Sequence, residues 1–172
     1  IYPEKLGSTT SDIYRMLLKV PERMTRQGFE EFFSGERRRL LESNFATHVE
    51  PEFYSPRGVL LYGIAEIVRS RMCADLLEAN QLDVFGRQMK ISHDGDRVSR
   101  YAGDGKHQPF QADVSDGYLL RLIDDLGSED PDRVLGAQLC NQPGSYACST
   151  PEIDRMTDVA SSVPGVAGAQ IA

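Results

Sequence analysis

The sequence predicts an α+β domain that is mostly helical and carries one short strand at its end. Three observations lead there. Apolar residues recur at three- and four-residue steps over long stretches, the period of a helix with one buried face. Prolines, glycines and an asparagine cut those stretches into separate elements. The final residues, Val166 to Ile171, are small or β-branched and follow a Pro-Gly stop, as a short strand would.

The first helix is expected within residues 9–20, with Thr9, Thr10 or Ser11 as cap and Ile13, Met16, Leu17 and Val20 at helical spacing. Pro21 breaks it. Thr25 precedes a second, short amphipathic helix over 27–33 that ends near Gly35. A charged segment holding Leu40, Leu41 and Phe45 then leads into a loop punctuated by Pro51 and Pro56. The strongest periodicity follows: from Arg57 to Ala79, Leu60, Leu61, Ile64, Ile67, Val68, Cys73, Leu76 and Leu77 trace one broad helical stripe. Asn80 interrupts it, and Leu82, Phe85 and Met89 resume helical spacing to about Ser92. Two helices packed as an antiparallel hairpin account for this pattern.

Residues 94–112, rich in glycine and aspartate, read as a loop. Asp113 or Ser115 then caps a helix carrying Leu119, Leu120, Leu122, Ile123 and Leu126, with Gly127 as its stop. Another loop, 128–147, holds one helical turn near Val134 and Leu135. Thr150 and Pro151 open the last helix. The threonine hydroxyl accepts from an exposed amide, and the proline lacks an N–H that would have had no partner. Ile153, Met156, Ala160 and Val163 are its expected buried face.

A net charge of −7 disfavours a nucleic-acid surface, and Arg37-Arg38-Arg39 reads as a solvated helix face. Cys73, Cys140 and Cys148 have no Cys-x-x-Cys spacing and fit reduced thiols of a cytoplasmic protein. No apolar run approaches the roughly 18 residues of a membrane span. The opening, Ile1-Tyr2-Pro3, has neither an initiator methionine nor a signal-peptide pattern, and the last strand has nothing after it to pair with. The chain, 1–172, is therefore expected to be one partial domain of a larger protein.

Most motif-like spacings lack a required atom. Gly103-Asp104-Gly105-Lys106 has neither the earlier glycine nor the following Ser or Thr of a phosphate loop. Asp94-Gly95-Asp96 starts like a calcium loop, but Val98 and Gly105 occupy ligand positions, so no metal site is expected. His48, His93 and His107 stand far apart, beside no ligand set. Ser92-His93 plus a remote aspartate has the residue types of a nucleophilic triad; the simpler reading is that both side chains bond the last carbonyls of their helix. Cys148 precedes a helix N-terminus, where thiol pKa falls, and reads instead as a small buried residue.

Two segments resemble the carboxyl-terminal half of galactokinase-type sugar kinases of the GHMP family. One is Arg57-Gly-Val with Glu66-Ile-Val-Arg69, followed by Leu82-Asp-Val-Phe-Gly-Arg-Gln-Met-Lys-Ile-Ser-His93. The other is Tyr146-Ala-Cys-Ser-Thr-Pro-Glu-Ile-Asp154 with Val163-Pro-Gly-Val-Ala-Gly-Ala-Gln-Ile-Ala172. Together they cover roughly a third of the chain. The resemblance implies part of a ferredoxin-like carboxyl-terminal domain, in a kinase that moves the γ-phosphoryl of ATP, with Mg2+, to the anomeric hydroxyl of galactose or a related sugar such as arabinose. The catalytic aspartate and phosphate loop of that family belong to an amino-terminal half, the implied partner. No catalytic residue is therefore expected here, nor any cofactor held by this chain alone. Tyr146, Ser149 and His93 are the implied substrate-facing residues of the cleft. The family has only a few residues between the positions of His93 and Tyr146, so 94–145 reads as an enlarged loop and helix insertion. The alternative is a non-catalytic sugar sensor or protein-interaction module on a kinase-derived scaffold.

Overall fold

A computed structural model describes residues 7–101 and 106–171. Expectations that rest on Ile1–Lys5, on Gly103 to Gly105 and on Ala172 lie outside the described residues. The elements run α1 (Thr10–Leu17), α2 (Arg26–Phe32), α3 (Glu36–Phe45), α4 (Pro56–Glu78), α5 (Leu82–Asp96), β1 (Ser99–Tyr101), β2 (His107–Pro109), α6 (Asp116–Leu126), α7 (Pro131–Gly136) and α8 (Pro151–Ser162). A 3₁₀ turn over Leu139–Asn141 follows α7. The fold is α+β and mostly helical, with a two-stranded antiparallel sheet.

Local chemistry sets most of the boundaries. Thr9 and Asp12 satisfy each other's amides in a full capping box at the start of α1. Thr25, Ser115, Asp130 and Thr150 each accept an N-terminal amide of their helices. Asn80, at φ 53°, turns the chain between α4 and α5 in the left-handed region that asparagine tolerates.

The core gathers Ile13, Tyr14 and Leu17 of α1, Leu61 of α4, Leu119 and Leu122 of α6, and Val114, Ala137 and Leu139 between helices. Tyr14 donates its hydroxyl to the Ala137 carbonyl at 2.7 Å, and burial pushes its pKa far up. Two buried arginines then pin loops onto α4. Arg57 donates to the carbonyls of Val20 (2.9 Å) and Val114 (3.0 Å), and Arg69 to those of Cys140 (3.0 Å) and Gln142 (2.8 Å). Gln142 in turn donates to Gly136 at 2.7 Å and accepts from Tyr118. Half of the core thus comes from 94–145, and the buried arginines tie that stretch to the long helix.

Four expectations need correction. Residues 36–45 are helical, not a charged run into a loop: α3 is carried by contacts along its own surface, such as Arg38 to Glu42 at 3.3 Å, and buries only Phe45. Residues 94–112 are not a plain loop, because α5 continues to Asp96 and β1 pairs β2 in the register Ser99 to Pro109, Arg100 to Gln108 and Tyr101 to His107. Val166–Ile171 is not a strand: among the described residues it pairs with no other strand, and the Val166 amide turns back onto the Val163 carbonyl at 3.1 Å. It crosses α5 at Gly86, where a Cβ would stand 2.3 Å from the Ala167 carbonyl carbon; a Cβ on Gly168 would stand 2.1 Å from the Gly86 oxygen. Only two glycines let backbone meet backbone so closely.

The fourth correction is α8. Ile153, Met156 and Val163 are exposed, Met156 by 71%, and Ala160 is half-buried. The helix docks through Asp154 and Thr157 instead. Amide donors and a guanidinium at the foot of the hairpin draw the acidic face inward, leaving the apolar one outside. No described helix is long and apolar enough to cross a membrane.

Candidate functional site

Where α5 ends, its last carbonyls would lack partners. The segment after the 3₁₀ turn supplies them. The amides of Tyr146 (2.8 Å) and Ala147 (3.1 Å) both donate to the Gly95 carbonyl, and that of Ser149 to the Asp96 carbonyl at 3.0 Å. Ala147 takes φ 55°, which lets consecutive amides converge on one oxygen. Backbone groups of 146–149 thus cap the helix, and the side chains of Ser92 and His93 do not. The Asp96 side chain is equally engaged, accepting from Tyr62 at 2.9 Å and from the Cys148 thiol at 3.1 Å.

Asp154 is the centre of the arrangement. It is fully buried, and its Oδ2 accepts from the amides of Val98 (3.0 Å) and Ser99 (2.8 Å) and from the Ser99 hydroxyl (3.2 Å). Burial raises its pKa, but hydrogen bonds from Ser149, Ser99 and Val98 outweigh that and hold it below the usual carboxylate value. Its Oδ1 lies 3.3 Å from Nε2 of His93, in contact but off the line a hydrogen bond requires, so both atoms are buried without a hydrogen-bond partner. Burial first, and then the neighbouring Arg97 charge, push His93 below its ordinary 6.5 against the pull of Asp154. One turn on, Arg97 forks onto Asp158 at 2.6 and 2.9 Å and holds Asp94 at 3.1 Å.

Above this floor opens a polar cleft of about 420 Å³, bordered by Lys90, His93, Arg97, Arg100, Asp158 and Ser161, with Ala169 of the closing segment on its wall. Asp94 and Asp158 are occupied by arginines, while Lys90 holds no carboxylate among the described residues. The cleft therefore offers hydrogen-bond donors over a rigid ionic base. The Ser99 hydroxyl is engaged by Asp154, and the Cys148 thiol is pushed up to about 11 by burial and by its bond to Asp96, so neither is set up as a nucleophile. Cys148 is also exposed, not the small buried residue its spacing predicts. No group of three His, Cys, Asp or Glu side chains is close enough to share a metal ion among the described residues.

The three residues expected to face a substrate separate into two environments. His93 and Ser149 are buried around Asp154, His93 bordering the cleft. Tyr146 is half-exposed and stacks on Tyr62, ring centres 5.3 Å apart. Sequence reading missed Asp154, Arg97 and Asp158. A pattern was available: His93 and Arg97 are four apart, Asp154 and Asp158 are four apart, and each pair lies on one turn-to-turn face. No protein-family model, curated protein or solved structure matches this chain.

Proposed function

We propose that this chain is a carboxyl-terminal region of a galactokinase-like sugar kinase, whose complete form transfers the γ-phosphoryl of Mg-ATP to the anomeric hydroxyl of a monosaccharide. The observation that carries the reading is that the two segments bearing the family resemblance pack against each other. Their glycines, Gly86 and Gly168, touch backbone to backbone. His93 meets Asp154, and the amides of 146–149 cap the helix that holds His93. Motifs separated by the 94–145 insertion thereby form one surface.

Phosphoryl transfer relies on positioning and on neutralising charge more than on covalent protein chemistry. In this reading the chain supplies a wall, with Tyr146 and the donor-rich cleft turned toward the substrates, while the partner half brings the phosphate loop and catalytic aspartate. The outward stripe of Ile153, Met156 and Val163 supports a covering layer from that half, because its spacing is that of a buried face. The complete protein, screened with ATP against hexoses and pentoses, should give a sugar 1-phosphate, and the 172-residue chain alone should give none. Absence of any phosphorylated sugar from the complete protein, or turnover by this chain alone, would overturn the proposal.

A further inference from the structure

Helix α8 is joined to the rest of the molecule mainly through polar atoms. It buries only Asp154 and Thr157 fully, and among the described residues it gives no side chain to the hydrophobic core. Its anchors reach the hairpin and the end of α5. Asp154 accepts from the amides of Val98 and Ser99, Asp158 receives the Arg97 fork, and the Pro151 carbonyl accepts from the Tyr101 hydroxyl at 3.1 Å. The helix is also one wall of the polar cleft, where its Thr157, Asp158 and Ser161 face Lys90, His93 and Arg97 of α5. Ala147 (φ 55°) and Gly165 (φ 89°) bracket it with left-handed backbone. An element with so little apolar burial opens at a smaller free-energy cost than the core does.

Beneath that wall His93 is 1% exposed, and neither of its ring nitrogens has a hydrogen-bond partner among the described residues. Oδ1 of Asp154, 3.3 Å from Nε2, is equally unpartnered. A proton added to this ring brings a full charge into a buried site with no acceptor in line. The surrounding charges do not cancel that cost. On α5, Arg97 repels the new charge, and Asp94 attracts it but already holds Arg97 and Arg100 of β1. On α8, Asp154 and Asp158 attract it, the first bound to amides and the second to Arg97. Lys90 borders the same cleft, while Tyr62 of α4 and Cys148 of the capping segment both donate to Asp96. His107 of β2 acts on Glu152 at the start of α8. Burial, and after it Arg97, hold His93 below its ordinary 6.5. Opening α8 gives the ring back to water and restores that value, so protons favour the open form.

We propose that α8 is an acid-released latch on the polar cleft: protonation of His93 frees the helix as a unit from β1 and the end of α5 while the hydrophobic core stays closed. Release removes one wall, so the cleft exists as a binding surface only while His93 is neutral. The latch is a property of this chain's own contacts and stands whether or not the kinase reading does.

The test is native-state hydrogen exchange of the 172-residue chain, each rate divided by its intrinsic rate at the same pH. At pH 7.5 the amides of 154–163 should be about tenfold or more less protected than those of Leu119–Ile123 in α6, and low urea should leave them unchanged. Between pH 7.5 and 5.5 their protection should fall by about threefold or more. The ceiling is about tenfold, set by one proton taken up at an open-state pKa of 6.5. His93→Gln should abolish that fall, and His107→Gln should leave it intact. A measurement on the unaltered chain runs beside the variants: the His93 ring protons, followed by NMR, should titrate below 6.5. Five results would each overturn the latch: protection of α8 equal to that of α6; no change between the two pH values; a fall that persists in His93→Gln; a fall that vanishes in His107→Gln; or an NMR midpoint at or above 6.5.

Discussion

Gly86 and Gly168 show how much one hydrogen atom in place of a methyl group can decide. A methyl at either position would overlap the opposing backbone, at 2.3 and 2.1 Å. Gly86→Ala and Gly168→Ala should each destabilise the fold by about 1–3 kcal/mol, the range for overpacking, read as a lower urea midpoint. Gly63, inside α4, meets nothing beyond its own helix among the described residues within 4 Å of where a Cβ would stand, so Gly63→Ala should raise stability by about 0.5–1 kcal/mol. The buried His93 and Asp154 give a pH dependence of definite sign. Both have folded pKa values below their unfolded ones, so the unfolded chain binds protons first and acid favours it. The His93 contribution is complete above pH 6.5 and is lost as pH falls from there through its folded value. That of Asp154 follows lower down, below 3.8. The urea midpoint should drop between pH 7.5 and 5.5, and His93→Gln should flatten that slope; a slope unchanged in the variant would show that other groups cause it.

Helices α4 and α5 were legible because their apolar stripes are long and their breaks fall at Pro56 and Asn80. The capped helices α1, α6 and α8 were legible for a second reason, a hydroxyl one residue before each start. Helix α3 was not, since its stability comes from charge pairs on an exposed surface and Leu40 faces water. The hairpin was hidden because strands of three residues carry too few side chains to show alternation. The orientation of α8 was misread for a deeper reason. Periodicity names the apolar face, but hydrogen-bond donors from Val98 and Ser99, together with Arg97, decide which face turns inward. At the site, the resemblance names His93 and Ser149 only, whereas Asp154, Arg97 and Asp158, which surround His93, show themselves only through contacts in the fold. Arg69 offers a test at this scale. Arg69→Lys keeps the charge but loses the fork that reaches two carbonyls and Glu66, and should cost about 1–3 kcal/mol. Faster amide exchange across 137–142 would locate the loss.

The molecule as a whole is organised around a segment that looks dispensable in sequence. Val114, Leu119, Leu122, Ala137 and Leu139 lie between the two resemblance-bearing segments, yet they complete the core with α1 and α4. Leu119→Ala should therefore cost about 2–5 kcal/mol, as truncation of a fully buried leucine does. A chemical-denaturation curve near wild type would show this region to be peripheral.

The hydroxyl of Tyr14 reaches a carbonyl 123 residues further along the chain. On a ribosome adding about 5–20 residues per second, α1 would wait roughly 6–25 s for that acceptor to be synthesised. Until then Ile13 and Leu17 have no α6 to cover them, so one apolar face of α1 stays open to water throughout that interval of synthesis.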